Sequence, residues 1–275
     1  MGKMIEFYKM SGSGNDFILI DDTRNMLPVH DLNEFAKTVC ARKISVGADG
    51  LIVIKKSEKA DFLWRFFNAD GSEAEMCGNG GRCAARFAFL KGIAENKLSF
   101  ETLAGTIDAE VHGESVKLRM TMPQEPRLGY DLQINGRSYE LNSINTGVPH
   151  AVMLTDDLEH FDVFKIGRAI RYHDHFKPAG TNANFLKVLD RHAIQIRTYE
   201  RGVENETLAC GTGAVASALV TFLNGMTESP VNVSVRSGEG LTIYFAYNDG
   251  VFSEVYLEGQ AKVIYQAMLW EEAYR

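Results

Sequence analysis

Two short stretches of this chain carry residues that can do chemistry. Cys77 opens CGNGGRCAARFAFLKG and Cys210 opens CGTGAVASALVTFLNG. In each, a thiol stands immediately before a run of helical character and is followed by Gly-x-Gly. The first backbone N–H groups of a helix lack internal partners and carry roughly half a positive charge. Glycines beside them let a ligand approach the backbone closely. Such a turn lowers a thiol pKa from its ordinary value of about 8.5, and it can hold a carboxylate. Neither turn runs on into Gly-Lys-Ser/Thr, which argues against a phosphate-binding P-loop. Gly78-Asn79-Gly80-Gly81 also lacks the spacing of a dinucleotide-binding fingerprint. A single copy reads equally well as a glycine-capped turn with a buried thiol. Two copies make that bland reading less persuasive.

The elements that must position the thiols repeat as well. The cysteines set an offset of 210 − 77 = 133 residues, and six glycine pairs fall on it. They are Gly14 and Gly147, Gly47 and Gly180, Gly78 and Gly211, Gly80 and Gly213, Gly92 and Gly225, and Gly105 and Gly238. The chain is therefore read as an old duplication, with halves at 1–122 and 123–263 joined near MTMPQEPRL (120–128), where two prolines interrupt the alternation. The tail 264–275 is expected to fold back on the first half. Strand-like runs such as IEFYKM, FILID, LIVIKK and DFLWRFF dominate the first half, and AVMLT, NFLKV, AIQIRTY and LTIYFAY the second. One helix is expected at about 79–91 and one at about 212–224. The second, AVASALVTFL, is apolar nearly all round, so it must be surrounded, and each sheet is expected to curl around its helix. Surface helices such as LNEFAKTVCARK make the class α+β.

Composition narrows the possible functions. The 275 residues hold 29 Lys+Arg against 36 Asp+Glu, a net charge of −7, which disfavours general nucleic-acid binding. The start MGKMIEFYKM has no apolar signal core, and the longest apolar stretch, Ala214–Leu223, is broken by Ser217 and Thr221. A membrane span needs about 17–25 apolar residues. A soluble, cytoplasmic protein is expected, with no nucleic-acid or membrane partner. Four cysteines are too few for a disulfide scaffold, and their spacing is not that of a zinc site, so no metal is expected. Cys40 and Cys83 read as small core residues.

Duplicated domains related by a pseudo-twofold axis would set the two remaining thiols facing each other. One reaction suits that arrangement: inversion at a carbon acid, in which one thiolate removes an α-proton and the opposite thiol delivers one to the other face. Helix N-termini aimed at the substrate carboxylate would stabilise the developing charge. Upstream of the cysteines run RFFNADGSEAEM and RTYERGVENETLA. With one residue inserted, Asn68 and Glu200 become equivalent, and Arg201 follows. An amide and a carboxylate can hold an ammonium group, and the guanidinium can clamp a carboxylate. Alone, Glu200-Arg201 would more commonly be a solvated surface pair.

At this point the sequence resembles the diaminopimelate epimerases, within a superfamily that includes proline racemase. The resemblance is carried by SGSGNDF (11–17), GADGL (47–51), FNADGSEAEMCGNGGRC (67–83), GTNANF (180–185), YERG (199–202) and ETLACGTG (206–213). It implies a cofactor-independent epimerase, needing no pyridoxal phosphate, that interconverts LL- and meso-diaminopimelate for lysine and peptidoglycan synthesis. It also implies two homologous barrel-like domains, each a mixed sheet around a central helix, and a homodimer. Position by position, Cys77 and Cys210 match the acid/base cysteines, and Asn15, Asn68 and Asn182 match substrate-contacting asparagines. Glu200 and Arg201 group with the last two around the amino and carboxylate ends. Gly78, Asn79, Gly211 and Thr212 match a backbone carboxylate cradle, and His150 matches a histidine beside the site. Val148-Pro149-His150 stands where many relatives have Asn-Pro-His, and Gly50 where some have Gln. Both departures fall on the distal-end grip and leave the cysteine chemistry intact. The alternatives are a proline- or hydroxyproline-racemase-like isomerase, a thiol redox switch formed by Cys77 and Cys210, and a non-catalytic amino-acid-binding protein.

Overall fold

The computed structural model describes residues 4–274. In chain order the first elements are β1 (Ile5–Gly12), β2 (Asn15–Asp21), α1 (Leu32–Val39), β3 (Gly50–Lys55), β4 (Phe62–Asn68), α2 (Gly78–Leu90), β5 (Lys97–Thr102), β6 (Gly105–His112) and β7 (Ser115–Arg119). There follow β8 (Gln124–Ile134), β9 (Arg137–Asn145), β10 (Pro149–Leu154), α3 (Val163–Arg171), β11 (Asn182–Asp190), β12 (Ala193–Glu200) and β13 (Asn205–Thr207). The last are α4 (Gly211–Leu223), β14 (Val231–Ser234), β15 (Gly240–Asn248), β16 (Val251–Gln260) and β17 (Lys262–Leu269). No helix among the described residues is long and apolar enough to cross a membrane. The chain separates into two compact units. One runs to Leu118 and resumes at Gly259; the other is Arg119–Glu258.

Within the first unit β1 lies antiparallel between β17 and β2, and β2 runs parallel to β3. The ladder continues antiparallel to β4, parallel to β5, then antiparallel to β6 and β7. The second unit repeats this order. There β9 lies antiparallel between β8 and β10, β10 runs parallel to β11, and β11 antiparallel to β12. Next come β14, parallel to β12, and β15 and β16, each antiparallel to the strand before it. The class is α+β, with a mixed sheet in each half.

Both faces of these sheets are covered, which is why β3 (GLIVIK) is buried from Gly50 to Ile54 rather than alternating. On one face Leu51 and Val53 pack with Phe35, Ala36 and Val39 of α1. On the other Ile52 lies against Gly80 of α2, and α2 itself rests on β1, β2, β3 and β6. In the second unit α3 covers the outer face, through Ile166 and Ile170 against Ala183, Phe185 and Tyr199. There α4 is enclosed by β9, β10, β11, β12, β14 and β15, and every residue from Gly213 to Thr221 is buried. Its all-round apolar character is thus explained by enclosure.

Four of the repeated glycine pairs share a left-handed backbone in both halves. Gly14 and Gly147 have φ of 91° and 104°, and Gly47 and Gly180 have 75° and 70°. Gly92 and Gly225, which follow the two helices, have 66° and 71°, and Gly105 and Gly238 have 113° and 82°. A side chain with a Cβ is strained in that region, so these glycines mark turns the fold requires. Both helices begin one residue earlier than the pattern indicated, on the glycine after each cysteine. The segment 120–128 differs more: β8 begins at Gln124 and runs through Pro126, which the strand accommodates by register shifts on either side of Arg127.

Candidate functional site

In the first unit Cys77 is the N-cap of α2, with extended φ and ψ of −144° and 117°, and its Sγ accepts the N–H of Gly80 at 3.5 Å. The thiol is partly exposed. Next to it Asn79, 5% exposed, donates from Nδ2 to Asn15 Oδ1 at 2.7 Å. Asn15 in turn donates from its own Nδ2 to Asp49 Oδ2 at 2.9 Å. Arg82, wholly buried, donates to Asn79 Oδ1 at 2.9 Å and to Ser13 Oγ at 2.6 Å. Beyond Asp49 the chain of polar contacts continues through Arg42 and Asp16 to Lys9. The ion pairs to Arg42 and Lys9 outweigh burial and hold the Asp16 carboxyl below its ordinary pKa.

In the second unit Cys210 caps α4 with nearly the same backbone, φ −126° and ψ 109°, but its side chain makes no capping bond. Its Sγ lies 3.6 Å from Thr212 Oγ1 and is buried. The Thr146 hydroxyl donates to the Thr212 carbonyl at 3.1 Å. Behind this turn sits Asn184, fully enclosed, accepting from Thr198 Oγ1 at 2.9 Å and donating to the Ala151 carbonyl at 3.0 Å. Those two bonds fix its amide, so its Nδ2 also faces His150 Nδ1, at 3.1 Å. Burial, with a smaller contribution from Arg201, pushes the His150 pKa down to about 3. The ring is therefore neutral near pH 7, and because Nδ1 accepts, the proton rides on Nε2. That Nε2 is buried and has no hydrogen-bond partner among the described residues.

Asn182 and Arg201 come together beside these groups: the Arg201 N–H donates to Asn182 Oδ1 at 2.8 Å, and Asn182 Nδ2 to the Pro149 carbonyl at 3.2 Å. The Glu200 carboxyl is pushed up in pKa by burial, against the pull of the Thr207 hydroxyl. Asn68 has a different partner. It is exposed at the end of β4, with Nδ2 bonded to Ser72 Oγ at 3.0 Å. The ladders nevertheless make Asn68 and Glu200 equivalent. Phe17 pairs with Gly50 but His150 pairs with Asn182, spacings of 50 − 17 = 33 and 182 − 150 = 32. One residue is thus lost between the first two parallel strands of the second half. Asn68 lies opposite Gly50, and the register Ala183↔Tyr199, carried one residue on, sets Glu200 opposite Asn182.

A second repeated device braces the approach to each thiol. Arg65 grips Glu73 through two bonds of 2.6 and 2.7 Å, and Arg197 grips Glu206 through two of 2.7 and 2.8 Å. Bidentate pairs of this kind fix direction as well as distance. Sequence reasoning did not single out these pairs, nor Arg82, Ser13, Asp49, Thr146 or Asn184. Ser13, Asp49, Glu73, Arg82, Asn184 and Glu206 lie inside the quoted motifs, and their signal was membership in those motifs. Cys40 and Cys83 are buried, and burial lifts the Cys40 thiol pKa to about 12. None of the four cysteines is joined in a disulfide. Among the described residues no cluster of three His, Cys, Asp or Glu side chains is placed to hold a metal ion.

Comparison with known proteins bears on this geometry. The family model for diaminopimelate epimerase matches residues 7–125 and 142–264. The diaminopimelate epimerase of Aquifex aeolicus is 49% identical over 279 residues, covering 98% of this chain and 99% of the relative. Among solved structures, a phenazine biosynthesis protein of the PhzF family from Bacillus anthracis superposes with a TM-score of 0.71 at 16% identity, over 98% of this chain and 99% of that one. A probable proline racemase from Agrobacterium radiobacter does so with a TM-score of 0.70 at 14% identity, over 97% and 93%. The two structural likenesses establish a shared fold.

Proposed function

The chain belongs to the diaminopimelate epimerase family and is an epimerase, and from that premise we propose that it interconverts LL- and meso-diaminopimelate through two bases, Cys77 and Cys210. The observation that carries the mechanism is the duplicated turn, a thiol at the N-cap of a 13-residue helix in each unit. One thiolate takes the α-proton, leaving the electron pair on the α-carbon and its carboxylate. The opposite S–H gives its proton to the other face, and the thiol and thiolate exchange identities. The reverse reaction runs through the same two groups.

The α-carboxylate gathers charge as the proton leaves. The helix-start N–H groups of Gly78, Asn79, Gly211 and Thr212 would receive it, in a cradle where hydrogen bonds strengthen in the transition state. Asn15 and Asn79 bind and orient from one half. From the other, Asn182, Glu200 and Arg201 hold the amino and carboxylate groups, and Asn68 joins them from the first half by its equivalence to Glu200. Neutral His150 serves as an Nε2–H donor rather than a base. No pyridoxal phosphate or metal is required, since the cradle and the thiols supply acid, base and charge stabilisation. We place the reaction in the cytoplasm, on a route to lysine and peptidoglycan, with a homodimer as the working form. The two halves, 1–122 with the tail 264–275 and 123–263, are taken as the ancestral repeats.

The test is direct. Reduced protein, dialysed against chelator and given LL-diaminopimelate alone, should produce the meso isomer until both stereoisomers are present. Failure to convert it, in protein shown to be folded and reduced, overturns the substrate assignment.

A further inference from the structure

We propose that Arg82 is a positioning residue that sets the direction in which the Asn15 and Asn79 amides point, and so decides which donors and acceptors the substrate meets. The inference rests on the reading that these two asparagines face substrate. It starts from the ends of the polar chain. A guanidinium can only donate and an ionised carboxylate can only accept. Arg82 Nη2 lies 2.9 Å from one atom of the Asn79 amide, which must then be the carbonyl oxygen. The Asn79 NH2 is thereby turned toward Asn15, 2.7 Å away, and must meet the Asn15 oxygen. That leaves the Asn15 NH2 facing the Asp49 carboxylate, at 2.9 Å. A cation at one end and an anion at the other admit only one polarity for both amides.

An amide is otherwise nearly indifferent to a half-turn, which exchanges a donor for an acceptor at almost constant shape. Flipping Asn79 here would set its NH2 against the guanidinium and its oxygen against another oxygen. Arg82 can exert this control because it is held. It is wholly buried, bonded also to Ser13 Oγ at 2.6 Å and within 3.4 Å of the Gly78 carbonyl. Buried charges are tolerated only with such partners, and they hold their geometry firmly. The device belongs to one half: position 82 + 133 = 215 is a valine in α4.

The experiment compares Arg82→Lys, Arg82→Gln and Asn79→Asp with the parent in full-length protein. It measures kcat and KM for LL-diaminopimelate, together with the side-chain amide 15N–1H resonances of Asn15 and Asn79. Lysine also only donates, so Arg82→Lys should stay within about tenfold of the parent in kcat/KM. A glutamine can donate or accept, so Arg82→Gln should lose about 100-fold and shift or broaden both amide resonances. Asn79→Asp keeps the acceptor for Arg82 but loses the donor toward Asn15. It should fold and lose activity comparably, which decides the matter if Arg82→Gln fails to fold. Parent-like kinetics or unmoved resonances in folded Arg82→Gln would overturn the proposal, as would unchanged kinetics in Asn79→Asp. So would Arg82→Lys falling as far as Arg82→Gln at unchanged thermal stability. If the parent itself does not turn over diaminopimelate, the functional reading fails, while the resonances still decide the role of Arg82.

Discussion

The two cysteine turns share a backbone and differ in what stands behind them. Cys77 and Cys210 cap helices of equal length with φ and ψ that agree within 20°. Behind Cys77 is a chain of charged and amide groups running from Arg82 through Asn79 and Asn15 to Asp49. Behind Cys210 is a neutral network of Thr146, Thr198, Asn184 and His150 around an apolar helix. Where the first half has Phe17 the second has His150, and where it has Arg82 the second has Val215. Both halves keep a thiol at the N-cap of a 13-residue helix, and each half has its own support behind it. The proposed two-base reaction would need the first and be indifferent to the second.

The sharpest test of equivalence at the thiols is substitution. Cys77→Ser and Cys210→Ser should each lower the epimerisation rate by about 10³-fold, because removing a positioned acid or base costs on the order of 10²–10⁴. Cys40→Ser and Cys83→Ser should turn over at rates close to the parent. Normal turnover in either of the first two would break the claim that both thiols work.

The supports should respond unequally at a matched glycine. A Cβ on Gly213 would come 2.3 Å from Asn184 Oδ1, which is pinned by Thr198, and 3.2 Å from Cys210 Sγ. On Gly80 the nearest atom is the mobile Ile52 Cδ1, at 3.3 Å. Gly213→Ala should therefore cost about 1–3 kcal/mol in urea unfolding, the usual range for overpacking. Gly80→Ala should stay within about 1 kcal/mol of the parent, since helix propensity offsets mild crowding. Equal losses would show that the two turns are supported alike.

His150 extends the contrast to pH. Its folded pKa of about 3 lies below the ordinary 6.5. Between those values the unfolded chain binds a proton that the folded protein does not, so stability falls as pH drops through that window, by up to about 1.4 kcal/mol per pH unit. The contribution is fully present above pH 6.5. His150→Gln should remove this component, giving a shallower decline from pH 6.5 to 4 in matched urea titrations. An unchanged slope would mean that His150 is protonated in the folded state.

Both thiols, both central helices and the special glycines could be read from sequence because each is a local signal: a residue type at a helix start, or a backbone that only glycine adopts easily. The one-residue slip that aligns Asn68 with Glu200 was also legible, because the flanking motifs bracket it. Arg82 was not, since nothing local distinguishes an arginine that reaches Ser13 across 69 residues from one on a helix surface. The paired clamps Arg65–Glu73 and Arg197–Glu206 were hidden for the same reason. The hairpin of β8 and β9 went unread although its turn, Asn135-Gly136, carries the expected pair with φ of 51° and 79°. Prolines just upstream read as a linker and masked it. Strand β17 looked like a tail because its outward residues include Ile264, Tyr265 and Met268, while Leu269 packs into the core beside Ile5.

The claim at the centre is that two different groups handle the proton, one on each face. Epimerisation of unlabelled LL-diaminopimelate in D2O, sampled early, tests it by mass spectrometry of the separated stereoisomers. Two bases predict that newly formed meso product carries one deuterium at the inverted carbon while the remaining LL substrate is still unlabelled. Meso product that retains the substrate's own α-hydrogen would mean that one group removes and returns the same proton, and would contradict the account.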